Sequence, residues 1–149
     1  MLTMVEYVHE RILTYAPCEI GIDMTMGNGF DTLALAKICE HVYSFDVQKE
    51  AISSTNEKLK DMSHVRLILD NHVNVDSYVQ ECDIAIFNLG YLPQFSHEIT
   101  TILESTQCAL KKIIKMIIVC KNHLQNKHHN YYKQTFFHFH KTTPKNSID

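Results

Sequence analysis

The stretch "GIDMTMGNGFDTLALA", Gly21 to Ala36, decides the fold. A short apolar run ends in an acid, Asp23. A Gly27-Asn28-Gly29 turn follows, and apolar residues then return at helical spacing. Strand, glycine turn and helix in this order make the first unit of an open parallel sheet. In such sheets ligands sit beyond the carboxyl ends of the strands, where the strand order reverses.

Outward from this stretch the same alternation continues. "VEYVHERIL" carries Val5, Val8, Ile12 and Leu13 on a helical stripe that Pro17 ends. "HVYSFDV" is a second strand ending near Asp46, "KEAISSTNEKL" an amphipathic helix, "HVRLILD" a third strand ending in Asp70, and "CDIAIFNLG" a fourth. "HEITTILESTQCALKKI" predicts a long helix with Ile99, Ile102, Leu103, Thr106 and Leu110 on one stripe, and "KMIIVC" a fifth strand. The spacing predicts an α/β fold with a mostly parallel, helix-covered sheet. From residue 121 the pattern lapses; only "KQTFFHFHK" looks like a strand, and no glycine follows Gly90.

The chain has 149 residues, 45% hydrophobic and 21% charged, ordinary values for one globular domain. No apolar run approaches a membrane span, and Glu6 and Glu10 interrupt any signal-peptide pattern, so no membrane role and a cytoplasmic location are expected. Cys18, Cys39, Cys82, Cys108 and Cys120 are far apart and read as reduced thiols. Residues 1–110 carry a balance of −10 and residues 111–149 one of +7. The expected organisation is a ligand-binding domain over residues 1–120 and a basic, His-rich tail over residues 121–149. Within the tail, His128 and His129 are adjacent, and His138 and His140 lack acidic or Cys partners, so no metal site is expected.

The glycine turn suits either a dinucleotide or S-adenosylmethionine. Against the dinucleotide, Thr32 takes the third position of the fingerprint, and the Asp31 carboxylate would repel a pyrophosphate. Asp23 suits an ammonium group and Asp46 two ribose hydroxyls, which S-adenosylmethionine offers without a phosphate. Asp70, with Asn71 and His72 beside it, would meet the adenine amino group. The bland reading of these acids is helix capping. In "IFNLGYLP", Asn88 closes a strand at the same edge, before Gly90, Tyr91 and Pro93. An Asn carbonyl can accept an amine's hydrogens and aim its lone pair, and a Tyr ring can pack on a flat base.

"DMTMGNGFDTLALA", "VYSFDVQKEAI" and "IFNLGYLP" with "EITT" resemble the small class I methyltransferases of the rRNA methylase group. That group includes bacterial tRNA methyltransferases acting on the 5-aminomethyl-2-thiouridine wobble base. The resemblance runs from about residue 5 to residue 110. It implies a Rossmann-like fold with helices on both faces, S-adenosylmethionine as donor and a primary amine in the tRNA anticodon region as acceptor. Carried over by position, Asp23, Thr25, Gly27, Asn28, Gly29, Asp31 and Thr32 form the donor loop. Asp46 and Gln48 hold the ribose, and Asp70 and His72 lie by the adenine. Asn88, Leu89 and Gly90 border the donor, and Asn88 with Tyr91 carries catalysis on the acceptor side.

Two departures shape what is expected of this chain. Gln94-Phe95-Ser96-His97 replaces a Gly-Gly-Asp-Lys turn, and residues 121–149 lack the family's closing loop and strand pair. The tail reads as a truncated or frameshifted end, with five strands up to Cys120 and irregular docking beyond. The alternative functions are then a methyltransferase homologue that binds its donor but transfers poorly, and, less favoured, a dinucleotide oxidoreductase. The acidic first 110 residues leave Lys111, Lys112, Lys115 and the tail lysines to meet RNA, unless a homodimer builds the groove.

Overall fold

The apolar runs at residues 18–23, 39–46 and 84–89 become strands that have helices over both faces, which is why they lack a polar side. The computed structural model describes residues 4–59, 62–89, 103–124 and 136–139. In chain order these form α1 (Met4–Leu13), β1 (Cys18–Asp23), α2 (Phe30–Ala36), β2 (Cys39–Asp46), α3 (Lys49–Lys58) and β3 (Val65–Leu69). A 3-10 turn (His72–Ser77), β4 (Ile84–Leu89), α4 (Leu103–Leu124) and β5 (Phe136–Phe139) follow. The sheet has five strands in the order β3-β2-β1-β4-β5, and every neighbouring pair is parallel. The chain builds outward from β1 to β3, then returns to add β4 on β1's other side. The order therefore reverses between β1 and β4, at the end of the strand that carries the glycine turn.

Two apolar layers hold the sheet. On one face Ile22, Met24, Phe45, Ile68, Ala85 and Phe87 pack with Val75 and Val79 and with Ala109, Ile113 and Met116 of α4. On the other, Val42, Ile84 and Ile86 pack with Ile12 of α1 and with Leu35 and Ala36 of α2. The alternation along β4 is the usual one of period 2: Ile84 and Ile86 face α1 and α2, Ala85 and Phe87 face α4. Asn88 continues the first set.

The structure corrects one element. The run "KMIIVC", residues 115–120, lies inside α4 rather than in a fifth strand. No Gly or Pro interrupts residues 103–124, and Ala109, Ile113 and Met116, spaced four and three apart, are buried on one stripe. Packing of that stripe overrides the β preference of the branched residues. The fifth strand is formed by "FFHF" instead, parallel to β4 with Phe136 opposite Ile86 and Phe139 opposite Leu89. It covers the edge that β4 would otherwise leave open. The first part of the long predicted helix, residues 97–102, and the tail segments 125–135 and 140–149 lie outside the described residues.

A substitution separates the two assignments. Lys115 is exposed on α4, so Lys115→Pro is expected to cost about 3 kcal/mol, the price of proline in a helix interior. At the first residue of a strand proline would be tolerated. Urea unfolding of the variant checks this, and a change below about 1 kcal/mol would favour the strand.

Candidate functional site

The glycine loop between β1 and α2 is laced to both neighbouring strands. Met24 N donates to the Ile86 carbonyl at 2.9 Å, Met26 N to the Phe45 carbonyl at 2.9 Å, and Gly29 N closes the turn on the Met26 carbonyl at 2.8 Å. Gly27 and Gly29 have φ of 51° and 77°, where a side chain is strained. At Gly29 there is also no room, since a Cβ would lie 2.5 Å from Thr55 Oγ1. Thr55, fully buried on α3, therefore supports the loop from below.

Asp23 lies at the root of the loop and is fully buried. Its Oδ1 accepts from Thr25 N at 3.1 Å and its Oδ2 from the Thr32 hydroxyl at 2.7 Å. Thr32 Oγ1 also meets Ser44 Oγ at 2.7 Å. Burial, then the charge of Asp31, pushes the Asp23 carboxyl up to about 7, against the Thr32 and Thr25 bonds that favour its ionised form.

At the end of β2, half-buried Asp46 accepts from Gly27 N at 3.0 Å and Gln48 N at 2.9 Å, one bond to each oxygen. Each oxygen keeps a further lone pair. Asp70 follows β3 and is more heavily engaged: it accepts from Tyr78 OH at 2.8 Å, Asn74 Nδ2 at 2.9 Å and Asn71 N at 2.7 Å. The Tyr78 bond, before the other two, holds its carboxyl below the ordinary value. His72 is buried edge-on to Phe87, with ring centroids 6.1 Å apart, and its Nε2 has no hydrogen-bond partner among the described residues. Burial pushes its pKa down, so the ring is a neutral base near neutral pH.

Asn88 is bound to this loop through Thr25. The Thr25 hydroxyl donates to the Asn88 carbonyl and accepts from Asn88 N, both at 3.0 Å. The Asn88 Nδ2 donates to Asp31 Oδ2 at 3.0 Å, and Asp31 Oδ1 meets His9 Nε2 at 2.5 Å.

The structure thus gathers Asp23, Thr25, Gly27, Asn28, Gly29, Asp31, Thr32, Asp46, Gln48, Asp70, His72 and Asn88 at the carboxyl edge of the strands. Leu89 ends β4, and Gly90 and Tyr91 lie outside the described residues. Five participants are absent from the sequence reading: His9, Ser44, Thr55, Asn74 and Tyr78. Ser44 alone had a local signal, a polar residue two after buried Val42 on a strand. Lys112, expected as a free cation, is engaged with the 3-10 turn, its Nζ donating to the Val73 carbonyl at 2.5 Å and to Asp76 at 2.6 Å.

Comparison with known proteins adds to this geometry. The family model described as "Putative rRNA methylase" matches residues 42–138. A crystal structure of "a putative methyltransferase" from Streptococcus mutans, in complex with SAH, superposes with a TM-score of 0.72 at 40% identity, covering 78% of this chain and 68% of that one. The structure of a "putative rRNA-methylase" from Clostridium thermocellum gives a TM-score of 0.73 at 35% identity, covering 78% and 67%. The chloroplastic tRNA (mnm(5)s(2)U34)-methyltransferase of Arabidopsis thaliana is 38% identical over 60% of this chain. The chain spans 39% of that relative's length.

The raised Asp23 value has a sign that can be checked. Its ordinary value is 3.8 and its folded value about 7, so the folded state holds the proton more tightly. The stability this contributes is complete below the ordinary value and is lost as pH rises to about 7. In urea unfolding across that range, the wild type should lose stability relative to Asp23→Asn as pH rises, with a constant difference above it. A difference that does not vary with pH would mean that Asp23 titrates normally.

Proposed function

The chain belongs to the rRNA methylase family, and from that premise we propose that it transfers a methyl group from S-adenosylmethionine to an amine of an RNA base. In its finer form the proposal names the 5-aminomethyl group of a tRNA wobble 2-thiouridine as acceptor. The Streptococcus mutans structure supports the donor, since SAH is what S-adenosylmethionine leaves after giving up its methyl. The name of the Arabidopsis relative supports the acceptor.

The observation that carries the reading is the reciprocal pair of bonds between Thr25 and Asn88. It fixes the strand end that would receive an amine against the loop that would hold the donor. The residues fit such a donor. Asp46 keeps a lone pair on each oxygen for ribose hydroxyls, and the buried His72 Nε2 has no partner among the described residues. Asp23, Asp31 and Asp46 gather acidic groups where a pyrophosphate would need positive ones, so the dinucleotide alternative is disfavoured. Bound here, the donor supplies a methyl carbon made electrophilic by its sulfonium. The protein's share is orientation: Asp46 anchors one end of the donor, and Asn88 accepts an N–H of the amine so that its lone pair faces the methyl. Lys111 and Lys115 are exposed on α4 and are the cations this reading offers to RNA phosphates.

Two variants test the halves separately. Asp46→Ala should weaken S-adenosylmethionine binding by about 1.5–3 kcal/mol, the scale of hydrogen bonds to a charged group. Calorimetry with unchanged affinity would remove Asp46 from the ribose. Asn88→Ala should leave donor binding nearly intact and cut transfer to tRNA by roughly 100-fold, as loss of one oriented polar group does. An unchanged rate at saturating tRNA would reduce Asn88 to a turn residue.

A further inference from the structure

The link from His9 of α1 through Asp31 to Asn88 has no place in the scheme above. His9 Nε2 bonds Asp31 Oδ1, and Asp31 Oδ2 receives the Asn88 Nδ2. We propose that His9 is a positioning residue that acts through Asp31 to hold the Asn88 amide with its carbonyl oxygen toward the acceptor amine; this rests on the methyl-transfer reading.

The geometry follows from the strand alternation. Asn88 shares the β4 face of Ile84 and Ile86, which α1 and α2 cover, so its side chain meets Asp31 in the first turn of α2. An ionised carboxylate only accepts. Asn88 must therefore turn its NH2 end to Asp31, which leaves its carbonyl end for another group. Among the described residues no protein group donates to that oxygen, and an amine N–H would supply the bond. By the same rule His9 must present an N–H at Nε2, which fixes its tautomer if the ring is neutral.

His9 is needed because of where Asp31 sits. The Asp31 residue is 6% exposed and its charge acts on buried Asp23. Without His9 the buried Oδ1 would lose the side-chain donor that holds it, a costly state for a buried acceptor. The carboxylate is then free to turn, the Asn88 amide loses its fixed partner, and its flipped form presents N–H to an amine that needs an acceptor. His9 itself touches neither Asp46 nor His72, the groups this reading gives the ribose and adenine, so its loss leaves those anchors of the donor in place.

Three measurements on the wild type, His9→Ala and His9→Gln decide the matter. They are donor affinity by calorimetry, steady-state transfer to a tRNA bearing wobble 5-aminomethyl-2-thiouridine, and hydrogen exchange of the Asn88 side-chain NH2 by NMR. His9→Ala should lower kcat roughly 10- to 100-fold, the usual effect of misplacing a reacting group, with donor Kd and tRNA KM nearly unchanged, and should speed exchange of the Asn88 NH2. His9→Gln, whose Nε2–H can reach the same oxygen, should restore both. An unchanged kcat, a loss of rate that follows donor affinity, an Asn88 NH2 indifferent to His9→Ala, or no rescue by His9→Gln would overturn the proposal. The NMR measurement needs no RNA. A wild-type chain that transfers no methyl would therefore sink the methyl-transfer reading, while the spectrum still decides whether His9 controls Asn88.

Discussion

A buried carboxylate organises this edge of the sheet. Asp23 ends β1 with no solvent around it, and it is tolerated there because Thr25 N and the Thr32 hydroxyl both donate to it. Those two bonds set the start of the glycine loop and the first turn of α2, and the Thr32–Ser44 contact ties the same point to β2. A buried charge that lost these donors would be expensive. The position of the loop, and hence of Asp46 beneath Gly27 and Asn88 beside Thr25, follows from satisfying this one group.

The opposite face of the sheet is held differently. There α4 packs its Ala109, Ile113 and Met116 stripe against the strands, and Lys112 reaches the 3-10 turn after β3 through Val73 and Asp76. That turn also carries His72, and Asp70 lies just before it, after β3. The polar edge of the site and the apolar layer under α4 thus meet at the turn, where His72 rests edge-on to Phe87.

Much of the architecture was legible because its signals are local. Strands covered by helices leave apolar runs, the first three here ending at or next to an acid, and β1 to β4 lie within two residues of those runs at each end. The glycine loop was legible because its positive φ values demand glycine. "KMIIVC" was not, since a short β-branched run has the same appearance in a strand and on the buried stripe of a helix without breakers. Nor was the His9–Asp31–Asn88 link. His9 is 22 residues from Asp31, and Asn88 is 57 from it; only the fold brings them together. The acids at the strand ends announce a ligand site, but the partners that orient them come from other layers.

The Thr25–Asn88 bonds join residues 63 apart in the chain. β1 pairs with β2 early, and the Asp23–Thr32–Ser44 and Asp46–Gly27 contacts need nothing beyond residue 46. Asn88 enters only when β4 returns to β1, which is the non-local pairing that closes a long loop and slows folding. The two halves of the site therefore differ in age during folding. A growing chain can assemble the loop and the contacts of Asp23 and Asp46 first, and gains the strand that faces them only later.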